Sequence, residues 1–185
     1  MFIRTERLFL RPGWPEDLDD LIEAFGEATS QRTIAVAALP QTNEAIREYL
    51  QRPRDPRLPQ FFMYLRDDDG ARMVGGIGLG RNREDVEIGY WISSAFRGRG
   101  FALESLRAVV EQARTLGHKR LVARHCSDDA ARARVLEAVG FVDCGSEEHR
   151  YSAGRGGEAV TRLFAIELER SFQTVARHPD QSLSA

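Results

Sequence analysis

The sequence predicts one mixed α/β domain, and three observations predict it. The first half carries short β-patterned runs separated by polar or glycine turns. The second half switches to strand, glycine-rich turn, helix, strand, helix. No repeat and no linker interrupts the 185 residues, a length that buries a core without disulfides or metals.

The elements follow in order. Residues 2–10 place Phe2, Leu8 and Leu10 among charges and read as a strand, broken by Pro12-Gly13 and Pro15. Pro15-Glu16-Asp17 opens a helix, because proline suits the first turn and the acids face the positive end of the dipole. Leu18, Leu21, Ile22 and Phe25 form its apolar stripe. A second helix follows Pro40, capped by Thr42 or Asn43, with Ala45, Ile46, Tyr49 and Leu50 inward. Pro53, Pro56 and Pro59 make 52–59 a loop. Phe61 to Leu65 and Met73 to Leu79 read as a hairpin around Asp67-Asp68-Asp69-Gly70. Gly75, Gly76 and Gly78 weaken a strand, and we read them as a bulge or as close packing against a helix. After a loop at 80–85, Val86 to Ile92 is a further strand.

Phe101 to Leu116 is a helix with Leu103, Leu106, Val110 and Ala113 inward, Glu104, Arg107, Glu111 and Arg114 outward, and Gly117 as its stop. Leu121 to Cys126 is a short buried strand. Ser127, Asp128 or Asp129 caps a helix through Val139, stopped by Gly140. Phe141 to Gly145 and Ala159 to Leu168 are paired strands across the loop 152–157. The domain is assigned to 1–170, and the polar, aperiodic stretch 171–185 to a C-terminal tail.

Charge narrows the partners. Lys+Arg 26 against Asp+Glu 28 gives −2, which removes any general attraction to nucleic acid or anionic membrane. No apolar run has the length of a membrane span, and the N-terminus lacks a signal-peptide core, so the expected compartment is the cytoplasm. Cys126 and Cys144 have no CxxC or zinc spacing and read as free, mostly buried thiols. The four histidines show no ligand spacing, so no metal is expected.

The informative segment is Glu87-Ile-Gly-Tyr-Trp-Ile-Ser-Ser-Ala-Phe-Arg97-Gly98-Arg99-Gly100-Phe101-Ala102. A strand ends in a Gly/Arg turn at which a helix starts, so free backbone N–H groups converge at the positive helix end: an anion cradle. Glycine lets the backbone approach the anion, and Arg97 or Arg99 adds a charge-assisted contact. The turn is neither GxxxxGK[ST] nor GxGxxG, so neither a P-loop nor a dinucleotide fingerprint is supported. Local composition alone also allows a basic, solvated strand–helix turn.

Arg97-Gly-Arg-Gly100-Phe-Ala102 resembles the Q/R-x-x-G-x-G/A signature of the GNAT N-acetyltransferase superfamily. Thr5-Glu-Arg-Leu-Phe-Leu-Arg11-Pro is similar to the opening strand of its RimJ/RimL-like branch, Glu87-Ile-Gly-Tyr-Trp-Ile to the strand before the loop, and Val135-Leu-Glu-Ala-Val-Gly140-Phe141 to the late helix ending in Gly-Phe. The four matches run in the family's order over about residues 3–168. The resemblance implies a largely antiparallel, twisted sheet flanked by helices, in which two parallel strands, Val86 to Ile92 and Leu121 to Cys126, splay apart. It implies acetyl-coenzyme A as co-substrate, its pyrophosphate wrapped by Arg97, Gly98, Arg99, Gly100, Phe101 and Ala102. Its pantetheine arm would lie in the splay against backbone groups of Trp91, Ile92 and Ser93, with a backbone N–H near Ile92 polarising the thioester carbonyl.

Transfer to an amine needs a base, and Glu87 is the candidate, since relatives place a glutamate on this strand. The other reading of Glu87 is an ion-paired carboxylate on a sheet face. Relatives carry Asn-x-x-Ser before the late helix, where this chain has Asp129 and Arg132. Asp129 is assigned a cofactor contact or a helix cap, since an ionised aspartate accepts but cannot donate. Arg132 and Arg134 read as solvated charge in preference to phosphate contacts. No residue is assigned as general acid: Tyr151, His125 and Cys126 stay open, and neighbours on a strand face apart, which disfavours a His125–Cys126 dyad. Trp14, Phe61, Tyr90 and Trp91 read as core in preference to an acceptor pocket. The expected acceptor is a small-molecule or peptide N-terminal amine, with a homodimer compatible. A CoA-binding module without catalysis is the alternative. A nucleic-acid binder using Arg97-Gly-Arg-Gly100 and Gly154-Arg-Gly-Gly157 lacks the net charge and stacking aromatics such a role needs.

Overall fold

The computed structural model describes residues 1–26, 42–67, 70–152 and 156–168. Pro40, the tip of the first hairpin, the middle of the 152–157 loop and the 171–185 tail therefore lie outside the described residues. The strands are β1 (Ile3–Arg4), β2 (Leu8–Arg11), β3 (Gln60–Asp67), β4 (Gly70–Asn82), β5 (Asp85–Ile92), β6 (Arg120–Cys126), β7 (Val142–Ser152) and β8 (Gly157–Glu167). They form one sheet in the order β1-β2-β3-β4-β5-β6-β8-β7. Every neighbouring pair is antiparallel except β5 and β6. Four helices flank the sheet among the described residues: α1 (Leu18–Gly26), α2 (Asn43–Gln51), α3 (Phe101–Thr115) and α4 (Ala130–Glu137). None of them is long and apolar enough to cross a membrane.

The expected mixed sheet is the one observed, with local corrections. The strand over 2–10 is two strands, because Thr5 makes a turn: its N–H donates to the Leu8 carbonyl and its Oγ1 accepts from the Leu8 N–H. The loop over 80–85 shrinks to Arg83-Glu84, since β4 and β5 pair out to Asn82↔Asp85. The last hairpin is longer than expected, with a register shift between Asp143 and Glu147 where Gly145 has φ +70°. Thr42 is the cap of α2, accepting from the Ala45 N–H at 3.1 Å.

The sheet separates two cores. Ile88, Tyr90 and Ile92 of β5 pack with Leu121, Ala123 and Phe164 and with Phe101, Leu106 and Val109 of α3. Trp91 packs on the opposite face with Leu21, Ala24, Ile46 and Leu50 of α1 and α2. This is the period-2 alternation of a strand buried on both sides. The glycines of β4 make room between strands and not against a helix. A Cβ on Gly76 would stand 2.5 Å from Trp91 Nε1, one on Gly75 2.1 Å from the Trp91 carbonyl, and one on Gly78 2.8 Å from the Gln60 side chain.

A buried network ties the first turn to the sheet. Asp17, 4% exposed, accepts from Arg11 Nη1 (2.7 Å) and Nη2 (2.6 Å), from the Trp14 N–H (2.6 Å) and from the Tyr64 hydroxyl (2.9 Å). Burial raises the Asp17 pKa, and these donors outweigh it and hold the carboxyl below its ordinary value. Arg11 in turn stacks on Trp14 and Tyr64 at 4.1 and 4.2 Å.

Candidate functional site

The parallel pair is where the sheet opens. β5 and β6 share one register pair, Glu87↔Val122, and no further pair beyond it among the described residues. Past that point no ladder joins the two strands, which leaves a gap in the sheet's hydrogen bonding beside the strand that leads into the 97–100 loop. Strand geometry says which groups line it. The Ser93 N–H donates to the Val74 carbonyl of β4 at 3.0 Å, so alternation turns the backbone groups of Tyr90 and Ile92 toward β6. Of the three backbone positions expected to meet a pantetheine arm, Ile92 faces the gap. The Ser93 amide is engaged by β4. Trp91 shares Ser93's backbone direction, and its side chain belongs to the α1/α2 core.

The loop has the conformation an anion cradle requires. After the turn Ser94–Phe96, Gly98 (φ +71°) and Gly100 (φ +81°) are both left-handed, a region where side chains cost about 1–2 kcal/mol. A Cβ at Gly98 would meet nothing within 4 Å, so the backbone there is open to a ligand. Gly100 is the N-cap of α3 and supplies no capping side chain, which leaves the first-turn amides of Phe101 and Ala102 pointing along the helix dipole. The Phe101 ring is 3% exposed in the core, so only its amide is placed to act.

Arginines surround this loop: Arg72 comes from β4 and Arg7 from the turn between β1 and β2. Arg97 Nε reaches the Ile92 carbonyl at 3.3 Å. The Arg99 guanidinium lies over Phe101 (5.4 Å) and Phe96 (5.8 Å), and Arg72 of β4 lies over Phe96 (5.5 Å). Arg7 donates from Nη1 to the Arg99 carbonyl at 2.9 Å and from Nε to Glu104 at 2.7 Å. Glu104 was expected to face outward. Instead it also accepts from Thr5 Oγ1 (2.6 Å) and the Arg7 N–H (2.8 Å), pinning the N-terminal turn to α3. Burial alone would raise its pKa, and these donors bring it below the ordinary glutamate value. The cluster of Arg7, Arg72, Arg97 and Arg99 around open backbone amides suits a polyphosphate.

Glu87 lies at the closed end of the gap, 3% exposed. Its Oε2 accepts from Asn82 Nδ2 at 2.5 Å and from Arg124 Nη1 at 2.7 Å. Its Oε1 is buried with no hydrogen-bond partner among the described residues. Arg124 is 8% exposed, and its Nε lies 3.7 Å from Glu148 Oε2. The sheet face of Glu87 is that of Trp91, toward α1 and α2.

Asp129 is the N-cap of α4, accepting from the Arg132 N–H at 3.0 Å. Arg132 is not a solvated charge: it is 7% exposed, donates from Nη2 to the Tyr90 carbonyl and lies 4.4 Å over the Tyr90 ring. Arg134 is exposed. Burial raises the Tyr90 phenol above its ordinary pKa. His125 points Nδ1 at the Cys126 carbonyl (2.7 Å) and packs its ring on Phe164, so it forms no dyad with the Cys126 thiol. Cys126 is buried, but Cys144 is exposed, because it stands at the β7 register shift. Tyr151 is 70% exposed, and Trp14, at 44%, is the one aromatic of the four expected in the core that is not. Sequence reading missed Arg7, Arg72, Asn82, Arg124 and the Arg11–Asp17 pair. The Arg11–Asp17 pair, six residues apart around Pro12-Gly13, and Asn82, five residues before Glu87, carried a local signal.

Comparison with known proteins agrees with this geometry. The family model described as an acetyltransferase (GNAT) domain matches residues 7–142. No curated protein matches the chain. The RimL ribosomal L7/L12 α-N-protein acetyltransferase, solved in complex with coenzyme A, superposes with a TM-score of 0.75 at 17% identity, over 92% of this chain and 99% of that one. A GNAT-family acetyltransferase from Bacillus anthracis gives 0.73 at 19% identity, over 90% and 98%. The microcin C7 self-immunity acetyltransferase MccE, in complex with acetyl-CoA and AMP, gives 0.71 at 12% identity, over 88% and 93%. At these identities the likeness is one of fold, and the family assignment rests on the model match across most of the sequence: the chain belongs to the GNAT acetyltransferase family.

Proposed function

We propose that the chain transfers an acetyl group from acetyl-coenzyme A to a primary amine, on a small molecule or a protein N-terminus. The observation that carries this reading is a parallel pair, β5 and β6, joined at a single register pair, whose first strand leads into the left-handed glycine loop at the start of α3. Residues 97–102, with Arg7 and Arg72 beside them, would hold the pyrophosphate and ribose phosphate. A linear arm would then run into the gap along β5, and the Ile92 N–H would meet the thioester carbonyl oxygen.

The amine enters from the α1/α2 face. Its nitrogen attacks the carbonyl carbon, a C–N bond forms, the C–S bond breaks, and the nitrogen's proton leaves to a base while the thiolate takes up a proton. Glu87 is our candidate base. Two donors occupy Oε2, which leaves Oε1 as the acceptor oxygen, and a buried acceptor without a partner is the state a relay water or an amine proton would satisfy.

Amine-dependent release of coenzyme A thiol from acetyl-coenzyme A tests this reading. Glu87→Gln removes the proton acceptor and leaves the buried Arg124 beside a neutral amide, so in the folded variant kcat falls by about 10²–10⁴ while coenzyme A affinity holds. Undiminished turnover in Glu87→Gln removes Glu87 from the mechanism. Coenzyme A binding without turnover across many amines favours a binding module instead.

A further inference from the structure

Arg132 stands where the helix α4 faces the gap, and its guanidinium crosses to β5. The side chain is 7% exposed, Nη2 donates to the Tyr90 carbonyl, and Cζ lies 4.4 Å over the Tyr90 ring. Tyr90 is three residues beyond the last register pair of β5 with β6, where the two strands no longer satisfy one another. A carbonyl on such an edge needs a donor. The structure supplies guanidinium groups: Arg132 on Tyr90, and Arg97 on Ile92 at 3.3 Å. These two carbonyls are the strand-type acceptors that an amide-bearing ligand lying along β5 would use.

We propose that Arg132 is an internal plug of the gap, an autoinhibitory contact that the pantetheine arm of coenzyme A must displace from Tyr90. The inference rests on the coenzyme A reading above. Both occupants seek the same carbonyl and the same slot, so their binding is exclusive. The apparent affinity for coenzyme A is then its intrinsic affinity reduced by the fraction of molecules with the plug withdrawn. Asp129, the cap of α4 three residues earlier, fixes where the plug is anchored.

The test is calorimetric titration of coenzyme A into the full chain and three variants, each checked for folding by thermal denaturation. Arg132→Ser removes the plug, and Arg132→Met keeps the packing of its stem without a donor. Arg134→Ser removes the same charge from an exposed position of the same helix. Both Arg132 variants are expected to bind about tenfold more tightly than wild type, with Arg134→Ser unchanged or weaker. Equal or weaker binding by folded Arg132→Met, with the wild type still binding, overturns the plug and leaves the coenzyme A reading intact. No binding by the wild type or any variant overturns both.

Discussion

Gly100→Ala puts a number on the cradle. Gly100 has φ +81° and ψ 2°, and a Cβ there would stand 3.3 Å from Arg7 Nη2, the flexible end of a long side chain, which gives way cheaply. The cost is therefore backbone strain, about 1–2 kcal/mol for alanine in the left-handed region. That strain has two outlets. If the loop holds its shape, unfolding free energy falls by the full amount. If the loop relaxes, stability is spared, the amides of Phe101 and Ala102 turn away, and coenzyme A binds more weakly, by up to about thirtyfold at 1.4 kcal/mol per decade. Urea unfolding and calorimetry on one preparation measure both, and together the losses come to about 1–2 kcal/mol. Gly145→Ala is the control, since Gly145 has φ +70° in the β7 irregularity and open space around it. It loses stability without losing affinity. Wild-type values of both quantities in Gly100→Ala refute the left-handed cap.

Three other outcomes follow from single contacts. Asp17→Asn leaves the partly buried Arg11 beside a neutral amide and should lower unfolding free energy by about 1–3 kcal/mol; a loss under about 1 kcal/mol in urea unfolding contradicts the network's role. Because donors hold Asp17 and Glu104 below their ordinary values, their stabilisation is complete above the unfolded carboxylate pKa and is lost as pH falls below about 4. A pH series of thermal midpoints should show that loss, reduced in Asp17→Asn. Gly76→Ala forces a methyl to within 2.5 Å of Trp91 Nε1 and should cost about 1–3 kcal/mol by overpacking, against almost nothing for Gly80→Ala, where the space is open.

How much of this was legible depends on the sequence separation of the causes. The strand–loop–helix over 86–116 was readable because its determinants are local: β-pattern, two glycines at tight positions, then a 3.6-residue period. The Asp129 cap and the Thr42 cap were readable for the same reason. Glu104 was misread because its partners Thr5 and Arg7 lie 99 and 97 residues away. Arg124, 37 residues from Glu87, was invisible as its partner until β5 and β6 came together. Arg132 shows the limit most clearly. An arginine beside alanines and a second arginine reads as solvated charge, since arginine is seldom buried. Only a sheet that opens beside α4 gives it a buried carbonyl to reach. Gly75 and Gly76 read as a bulge or as close packing against a helix, whereas their neighbour is Trp91 of the next strand, which register sets.

Coenzyme A binding by the wild type beside Gly100→Glu tests the central claim most directly, because a carboxylate at residue 100 would face the phosphates across the open amides. Saturable binding to the wild type is expected, with its loss in a variant that remains folded. No binding by folded wild type, or equal binding by both, would contradict it.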